Sequence, residues 1–539
     1  MKDINEITIE KLIKNKVKSL NNLDAVKRQI AKKYKTSCYS NVELLKAYHN
    51  LIKNKKIAKN QNLENILRKR KIRSLSGVVV VSVLTKEYPC PGKCVYCPKE
   101  KGLPQSYLSE EPAVERAKKA KFNPYIQTKD RLESLKIQGH PIDKIELRII
   151  GGSWSVYPKN YQIKFVSECF RAVNEFSTKR SRPGLDHVGY DLKKQQKINE
   201  KAKHRIIGIS IETRPDLINK NEILNLRNLG ITMVELGVQT IYNDILKKTQ
   251  RGHSVEQTIQ ATEILKNAGF KIMYQIMPNL PGSNPKLDFE CSKTIFENPN
   301  FKPDWLKIYP CLVCKEAKLY QIWKKGLYKT YTNKELIKLL IKIKQIIPYW
   351  IRMARLFRDI PSQKIKAGSK FSNLRQIIQA RMKKENKICH CIRCREIREN
   401  YNPKEKIFLF RENYEASNGQ EIFLSFENKN RNKLYSLLRL RIPNKLNNKK
   451  NNQPWIIPVL KNSAIIREIH TYGQMAEIAG KSLSAQHKGL GKKLIKQAEK
   501  IAKNEFQLKK IVVISGIGTR EYYRKLNYRL KNEYMIKNL

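Results

Sequence analysis

The sequence predicts an α/β protein: repeated strand–helix units forming a parallel sheet, open or closed into a partial barrel, followed by a separate α+β domain. Two observations carry this reading. From about residue 76 to residue 308, strand-like and helix-like stretches alternate, and repeated βα units imply a parallel sheet. From about residue 406, the texture changes to several strand-like runs, a glycine-containing turn and a helix. The length of 539 residues suggests three or four domains at ~150 residues each.

The elements follow in chain order. Residues 1–75 carry 20 Lys/Arg against 6 Asp/Glu and read as short helices with basic faces, ending in RKRKIR (Arg68 to Arg73). Such a segment serves either as a solvated surface or sorting signal, or as an arm that holds a phosphate backbone. SGVVVVSVL (Ser76 to Leu84) is a β-branched run, the mark of a buried strand. KIELRIIGG (Lys144 to Gly152) ends at a diglycine, and RIIGISIETRP (Arg205 to Pro215) ends in charged residues. ITMVELGVQT (Ile231 to Thr240) and FKIMYQIMPNLPG (Phe270 to Gly282) complete the series, with helical patterns such as SVEQTIQATEILKNAG (Ser254 to Gly269) between them. Residues 309–405 form a mixed linker with two cysteine groups, and residues 406–539 form the last domain.

Composition narrows the function classes. At 40% hydrophobic, the chain can build cores, which excludes wholesale disorder. No run of 18 apolar residues predicts a membrane span, and the start does not read as a secretory signal. The expected setting is intracellular: cytoplasmic first, with a nucleus or an organelle-remnant compartment as alternatives. The net charge of +60 fits both an AT-rich coding bias and a nucleic-acid partner. Eleven cysteines, several tightly clustered, favour metal or cluster ligation over disulfides.

YPCPGKCVYCP places Cys90, Cys94 and Cys97 at C-x3-C-x2-C just after a strand. Three thiolates on one loop can bind three irons of a [4Fe–4S] cluster and leave the fourth open; a zinc knuckle is the competing reading, but it wants a fourth ligand. This spacing ahead of βα repeats resembles the signature of the radical S-adenosylmethionine (SAM) superfamily, and Tyr96 fits the same pattern. Gly151 and Gly152 would let backbone approach the methionine end of SAM. Glu212, Arg214 and Gln239 end later strands and are either cofactor or substrate contacts, or ordinary polar strand ends.

QHKGLG (Gln486 to Gly491) precedes the helix KKLIKQAEKIAKNE, and a glycine loop opening a helix suits pyrophosphate. The pattern resembles the coenzyme A loop of GNAT acetyltransferases. In that case the backbone of Glu468, Ile469, His470 and Thr471 would face the pantetheine. Tyr523 would protonate the leaving thiolate, or Tyr522 and Tyr523 would simply pack as aromatics. CHCIRC places Cys389, Cys391 and Cys394 around His390, and YPCLVCK carries Cys311 and Cys314. The first three favour a structural zinc, with Cys311 as the expected fourth ligand and Cys314 as the runner-up; free buried thiols are the alternative. Cys38, Cys169 and Cys291 read as lone structural cysteines.

Two catalytic modules in one chain, with the segments NPYIQTKDRLESLKIQGHPIDKIE, VELGVQTIYNDIL, RGHSVE, DIPSQKI, YEASNGQEIFLSFE and YYRKLNYRL, resemble the catalytic subunit family of Elongator across nearly all of residues 75–539. The resemblance implies an acyltransferase-type enzyme that carboxymethylates C5 of a tRNA wobble uridine. It would use acetyl-CoA and a 5′-deoxyadenosyl radical from SAM. It further implies acetyl-CoA contacts at Lys144, Leu490, Gly491, Lys492 and Tyr523 beside Glu468 to Thr471, with Lys144 and Tyr523 in catalytic roles. The partners it implies are tRNA at its anticodon region, with accessory subunits or a homodimer as modes of assembly, and the zinc of some relatives. Protein or histone lysine acetylation is the alternative activity, and a tRNA-binding scaffold without chemistry is a third. Ser153 stands where the family often has threonine, Asn279 stands at a common glycine, and the stretch between Tyr472 and Gln486 is short.

Overall fold

The computed structural model describes residues 3–17, 19–36, 38–68, 74–176, 191–398, 401–402, 404–444, 456–473 and 489–539. Lys69 to Arg73 of the RKRKIR run and Gln486 to Lys488 of the glycine loop lie outside the described residues.

The basic N-terminal segment folds as four helices, Ile4–Lys14, Leu20–Lys33, Asn41–Lys53 and Gln61–Leu67. Their apolar faces enclose Ile9, Leu12, Leu23, Leu44, Leu45 and Leu51, and their lysines stay outside. A capping box at Ser40 and Glu43 starts the third helix. The bundle is tied to the next layer by Arg68, which donates to the Gly139 carbonyl.

The central sheet holds β1 (Val79–Leu84), β2 (Lys144–Ile150), β3 (Arg205–Thr213), β4 (Met233–Gln239), β5 (Lys271–Ile276), β6 (Trp305–Ile308) and β8 (Arg352–Arg355), in the order β1-β2-β3-β4-β5-β6-β8. Every neighbouring pair is parallel, and β1 and β8 are the two edges, so the sheet is a half-barrel. Its last strand comes from the stretch after residue 308. β7 (Val313–Cys314) and β9 (Ile365–Ala367) form a small separate ribbon. Alternation decides which side chains enter the lumen. In β2, Ile145, Leu147 and Ile149 are buried against the outer helices, whereas Glu146, Arg148 and Ile150 line the lumen. Lys144 shares their parity. Helices Pro124–Ile137, Lys159–Glu175, Val255–Asn267 and Asn333–Gln345 cover the convex face. Ser254 and Thr332 open two helices with capping boxes.

The second sheet holds β10 (Phe408–Glu415), β11 (Gly419–Glu427), β12 (Leu434–Pro443), β13 (Ala464–Thr471), β14 (Lys510–Val513), β15 (Arg529–Lys531) and β16 (Tyr534–Asn538), ordered β10-β11-β12-β13-β14-β16-β15. It is antiparallel except for β13 and β14. That parallel pairing covers Ala464 to Ile466, so β14 diverges from β13 along Arg467 to Thr471. The helix Leu490–Lys500 packs Leu494, Ile495 and Ala498 onto this sheet.

The two sheets meet through buried charge. Across the two layers, Arg467 donates to Asp304 at 2.5 Å, Lys271 pairs with Glu468 at 3.4 Å and Arg441 donates to Asn267 at 2.7 Å; within the second sheet, Arg467 also reaches Glu421 and Arg439 reaches Glu468, each at 2.8 Å. Gly516 and Gly518 press against β3, where a Cβ on Gly516 would lie 2.1 Å from the Ile207 carbonyl oxygen. Among the described residues, no helix is long and apolar enough to cross a membrane.

Candidate active site

The loop after β1 carries the first cysteine triad at the carboxyl end of the half-barrel. Cys94 is buried, while Cys90 and Cys97 are half-buried. Gly92 is dictated by space: a Cβ there would lie 2.4 Å from Arg214 Nη1. Arg214 is held in turn by Asp216, through Nε at 2.9 Å and Nη2 at 3.0 Å, and its buried Nη1 has no hydrogen-bond partner. Arg251 places Nη1 3.5 Å from Cys94 Sγ and donates Nη2 to the Gly237 carbonyl at 2.6 Å. Burial pushes the Cys97 thiol up to about 12, with Cys94 adding to the effect. A metal would therefore have to displace its proton. Three thiols on one glycine-shaped loop, with guanidinium groups around them, fit a cluster bound through three irons.

The candidates for SAM contacts surround the same loop. Gly151 and Gly152 have φ of +129° and +85°, backbone that favours glycine, and a Cβ on Gly151 would lie 2.1 Å from Thr85 Oγ1. Ser153 Oγ lies 4.0 Å from Cys90 Sγ. Glu212 accepts from Tyr107 at 3.0 Å, Gln275 at 3.3 Å and Lys307 at 3.4 Å. Gln239, at φ +71°, leaves its buried Oε1 without a partner in the cavity wall. Asn279, at φ +66°, takes the turn expected of the glycine it replaces, braced by Asp288 and Tyr331.

One cavity of about 720 Å³ joins these groups. It begins at Cys90, Cys94, Cys97, Gly152 and Glu212, runs down the lumen past Lys307, Arg148 and Glu146, and reaches His470 and Tyr472 of the second sheet. Its wall is charged. Lys307 bridges Glu212 and Glu235, and Arg148 pairs with Glu146 at 2.7 Å. Burial raises the Glu235 carboxyl, but Lys307 and Arg148 outweigh it and leave it low; Glu146 is lowered in the same way by Arg148, Lys271 and His470. Lys307 and the arginines 352, 355 and 358 escaped the sequence reading. The available signal was a lysine inside the otherwise apolar strand WLKI.

The far end assembles most of the acetyl-CoA candidates. Burial lowers the Lys144 amine, with Asp143 opposing. Glu468 pairs with Arg439 and, at 3.4 Å, with Lys271. Burial raises its carboxyl, but those two cations hold it at about 2. His470 Nε2 lies 2.7 Å from the Ser76 carbonyl oxygen, and burial lowers its pKa. Thr471 Oγ1 is 2.9 Å from Ser436 Oγ. The helix of Leu490, Gly491 and Lys492 opens after Gly489, at φ +71°. A Cβ on Gly491 would lie 3.3 Å from the Tyr522 hydroxyl, 3.6 Å from Ile469 and 3.8 Å from Thr471 Oγ1. Tyr522 is thus the tyrosine beside Gly491. Tyr523 is 4% exposed and packs with Tyr528 in the core beneath the sheet.

The second triad is compact: the sulfurs of Cys389, Cys391 and Cys394 all lie within 4.8 Å of one another. Cys311 and Cys314 do not join this group. Both are buried in the cluster that contains Cys94 and Tyr96 or at its edge, on the small ribbon side, because YPCLVC follows β6 toward the first triad. The expected fourth ligand therefore sits with the other cysteine loop. Cys169 and Cys291 are buried, as structural cysteines are, and Cys38 is exposed.

Comparison with known proteins agrees with this geometry. The model of the Radical SAM superfamily matches residues 89–287, and that of the Radical_SAM C-terminal domain matches residues 303–384. A Methanocaldococcus jannaschii protein named tRNA uridine(34) acetyltransferase is 46% identical over 88% of this chain and 87% of its own length. Elongator complex protein 3 of Bos taurus is 37% identical over 88% of this chain and 86% of its own. The solved archaeal Methanocaldococcus infernus Elp3, lacking N-terminal residues 1–46, superposes with a TM-score of 0.73 at 42% identity, covering 86% of this chain and all of that one. A radical SAM half-barrel joined to a second sheet, with this identity along most of its length, places the chain in the Elongator complex protein 3 family.

Proposed function

We propose that the protein carboxymethylates C5 of the wobble uridine of tRNA, drawing the two-carbon unit from acetyl-CoA. The observation that carries this reading is the continuous cavity from the Cys90–Cys94–Cys97 loop to His470. The seven residues of β2 span about 20 Å, so the radical source and the thioester lie at opposite ends of one lumen. An acetyl group presented at that lumen faces the radical chemistry rather than a peptide arriving from solvent. When bound at the three cysteines, a [4Fe–4S] cluster supplies the electron that cleaves SAM to a 5′-deoxyadenosyl radical.

This chain's residues do the rest of the positioning. Gly151, Gly152 and Glu212 hold the SAM side. Lys144, the strand Glu468 to Thr471, the turn Leu490 to Lys492 and Tyr522 hold acetyl-CoA, where β14 diverges from β13, and Tyr523 packs beneath them. Arg355 and Arg358 at the cavity wall, and the basic segment 1–75, supply positive charge for the tRNA backbone. Cys389, Cys391 and Cys394 hold a structural zinc: three thiolates on one tetrahedral ion stand ~3.8 Å apart, within the observed spacing. That site sits between the half-barrel and the second sheet, where Arg395 on the same turn pairs with Glu427.

Incubation of the reconstituted protein with tRNA, acetyl-CoA and SAM, followed by nucleoside mass spectrometry, tests the reading. 5-Carboxymethyluridine is the expected product. Cys94→Ala should abolish it while tRNA binding persists. Robust peptide acetylation without the modified nucleoside would sink the proposal in favour of lysine acetylation.

A further inference from the structure

The compact triad has a neighbour that no cysteine or histidine pattern points to. Lys344, on the helix Asn333–Gln345, is fully buried, and its Nζ lies 3.2 Å from Cys389 Sγ and 3.6 Å from Cys394 Sγ. Buried lysines normally find a carboxylate. Among the described residues, the hydrogen-bond partners of this amine are these two sulfurs.

We infer that Lys344 Nζ is the fourth ligand of the metal held by Cys389, Cys391 and Cys394, an assignment that rests on the zinc reading above. The distances carry it. A tetrahedral zinc with thiolates at ~2.3 Å and a nitrogen at ~2.05 Å requires nitrogen–sulfur separations of ~3.5 Å. The two observed separations bracket that value.

The competitors are placed elsewhere. The His390 ring lies against Tyr349, with centroids 4.7 Å apart and planes tilted by 33°, and is outside the group of mutually close ligand atoms. Cys311 packs beside the first triad. Arg375 lies near the three sulfurs, but a guanidinium has no lone pair to offer, and its Nη2 donates to the Met353 and Ala354 carbonyls at 3.3 and 3.0 Å. Its charge has a different use. A divalent ion with three thiolates and a neutral amine carries one net negative charge, which Arg375 offsets. As the nitrogen–metal bond forms, the ammonium proton leaves to solvent, and no oxidant or reductant is consumed.

Lys344 thus pins the helix Asn333–Gln345 of the half-barrel to the CHCIRC turn that leads into the second sheet. The metal clamps a helix to a linker rather than merely closing a loop.

Zinc K-edge X-ray absorption on the full-length protein, with zinc content measured in parallel, tests this without relying on activity. Three sulfurs and one light atom without imidazole scattering are expected. In Lys344→Met the nitrogen should be lost or replaced by water, and a chelator should remove zinc about tenfold faster or more. Cys311→Ser and Cys314→Ser should leave the spectrum unchanged. A four-sulfur shell, imidazole scattering, or zinc release from Lys344→Met no faster than from wild type would each overturn the assignment. A Lys344→Met protein that fails to fold does not remove the test: in wild-type protein labelled with 15N-lysine and loaded with 113Cd, a 113Cd–15N coupling to one lysine amine is expected, and its absence would overturn the assignment. Zinc-free wild-type protein would overturn the zinc reading itself, and this assignment with it.

Discussion

Adjacent tyrosines at the mouth of the helix Leu490–Lys500 face opposite surroundings. The Tyr522 hydroxyl lies beside Gly491, whereas Tyr523 is packed against Tyr528 in the core. Burial pushes the Tyr522 phenol up to about 12 and the Tyr523 phenol higher still. Both are therefore protonated at neutral pH, but only a hydroxyl that reaches the thioester can give its proton to the leaving thiolate. Tyr522→Phe should lower the rate of CoA release from acetyl-CoA about tenfold or more, with Tyr523→Phe staying within about twofold. Steady-state CoA release under anaerobic conditions, with circular dichroism as a folding control, measures both. The reverse ranking would return the role to Tyr523.

At the scale of elements, the turn Ile517–Thr519 and the glycine before it seat the second sheet on β3. Gly516 has an ordinary negative φ of −68°, so its glycine is demanded by contact and not by backbone conformation. The atoms its Cβ would meet, the Ile207 carbonyl oxygen at 2.1 Å and the Gly208 nitrogen at 3.1 Å, are backbone of β3, which gives way less readily than the end of a side chain. Gly516→Ala should therefore cost about 1–3 kcal/mol, seen as a lower urea midpoint, by forcing the two layers apart. A midpoint unchanged from wild type would show that the layers are less tightly seated than these distances state. The divergence of β14 from β13 is the other decisive element. Without it, the backbone from Arg467 to Thr471 would be covered by a neighbouring strand and closed to any ligand.

Across the whole molecule, the buried charges between the sheets set a pH response. Glu468 has an ordinary carboxyl pKa of 4.5 when unfolded and about 2 when folded, because Lys271 and Arg439 outweigh the effect of burial. The unfolded chain therefore binds more protons between those values. The contribution of Glu468, roughly 3 kcal/mol, is complete above pH 4.5 and is lost as pH falls toward 2. Urea unfolding from pH 6 down to pH 3 should show this slope, and Glu468→Gln should flatten it. Equal slopes in the two proteins would place the acid sensitivity elsewhere. Removing one partner of a buried pair leaves the other charge stranded, so the variant should also be less stable at pH 6.

The sequence by itself determined the parallel βα architecture, because strand and helix periodicity is written locally in runs such as VVVVSVL and VEQTIQATEILKNAG. It also determined the first cysteine triad and the diglycine, whose meaning lies in short spacings. It could not decide which cysteine or lysine meets Cys389. Lys344 and Cys389 are 45 residues apart, and Cys311 is equally eligible on the page of letters. The sequence assigned the proton donor to Tyr523, whereas Tyr522 is the tyrosine beside Gly491, since a one-residue step changes the face presented by a helix. Only the tertiary structure joined the two ends of the lumen. The contact of Ser76 with His470 spans 394 residues, and such a pairing is set by the packing of two layers against each other, not by either segment alone.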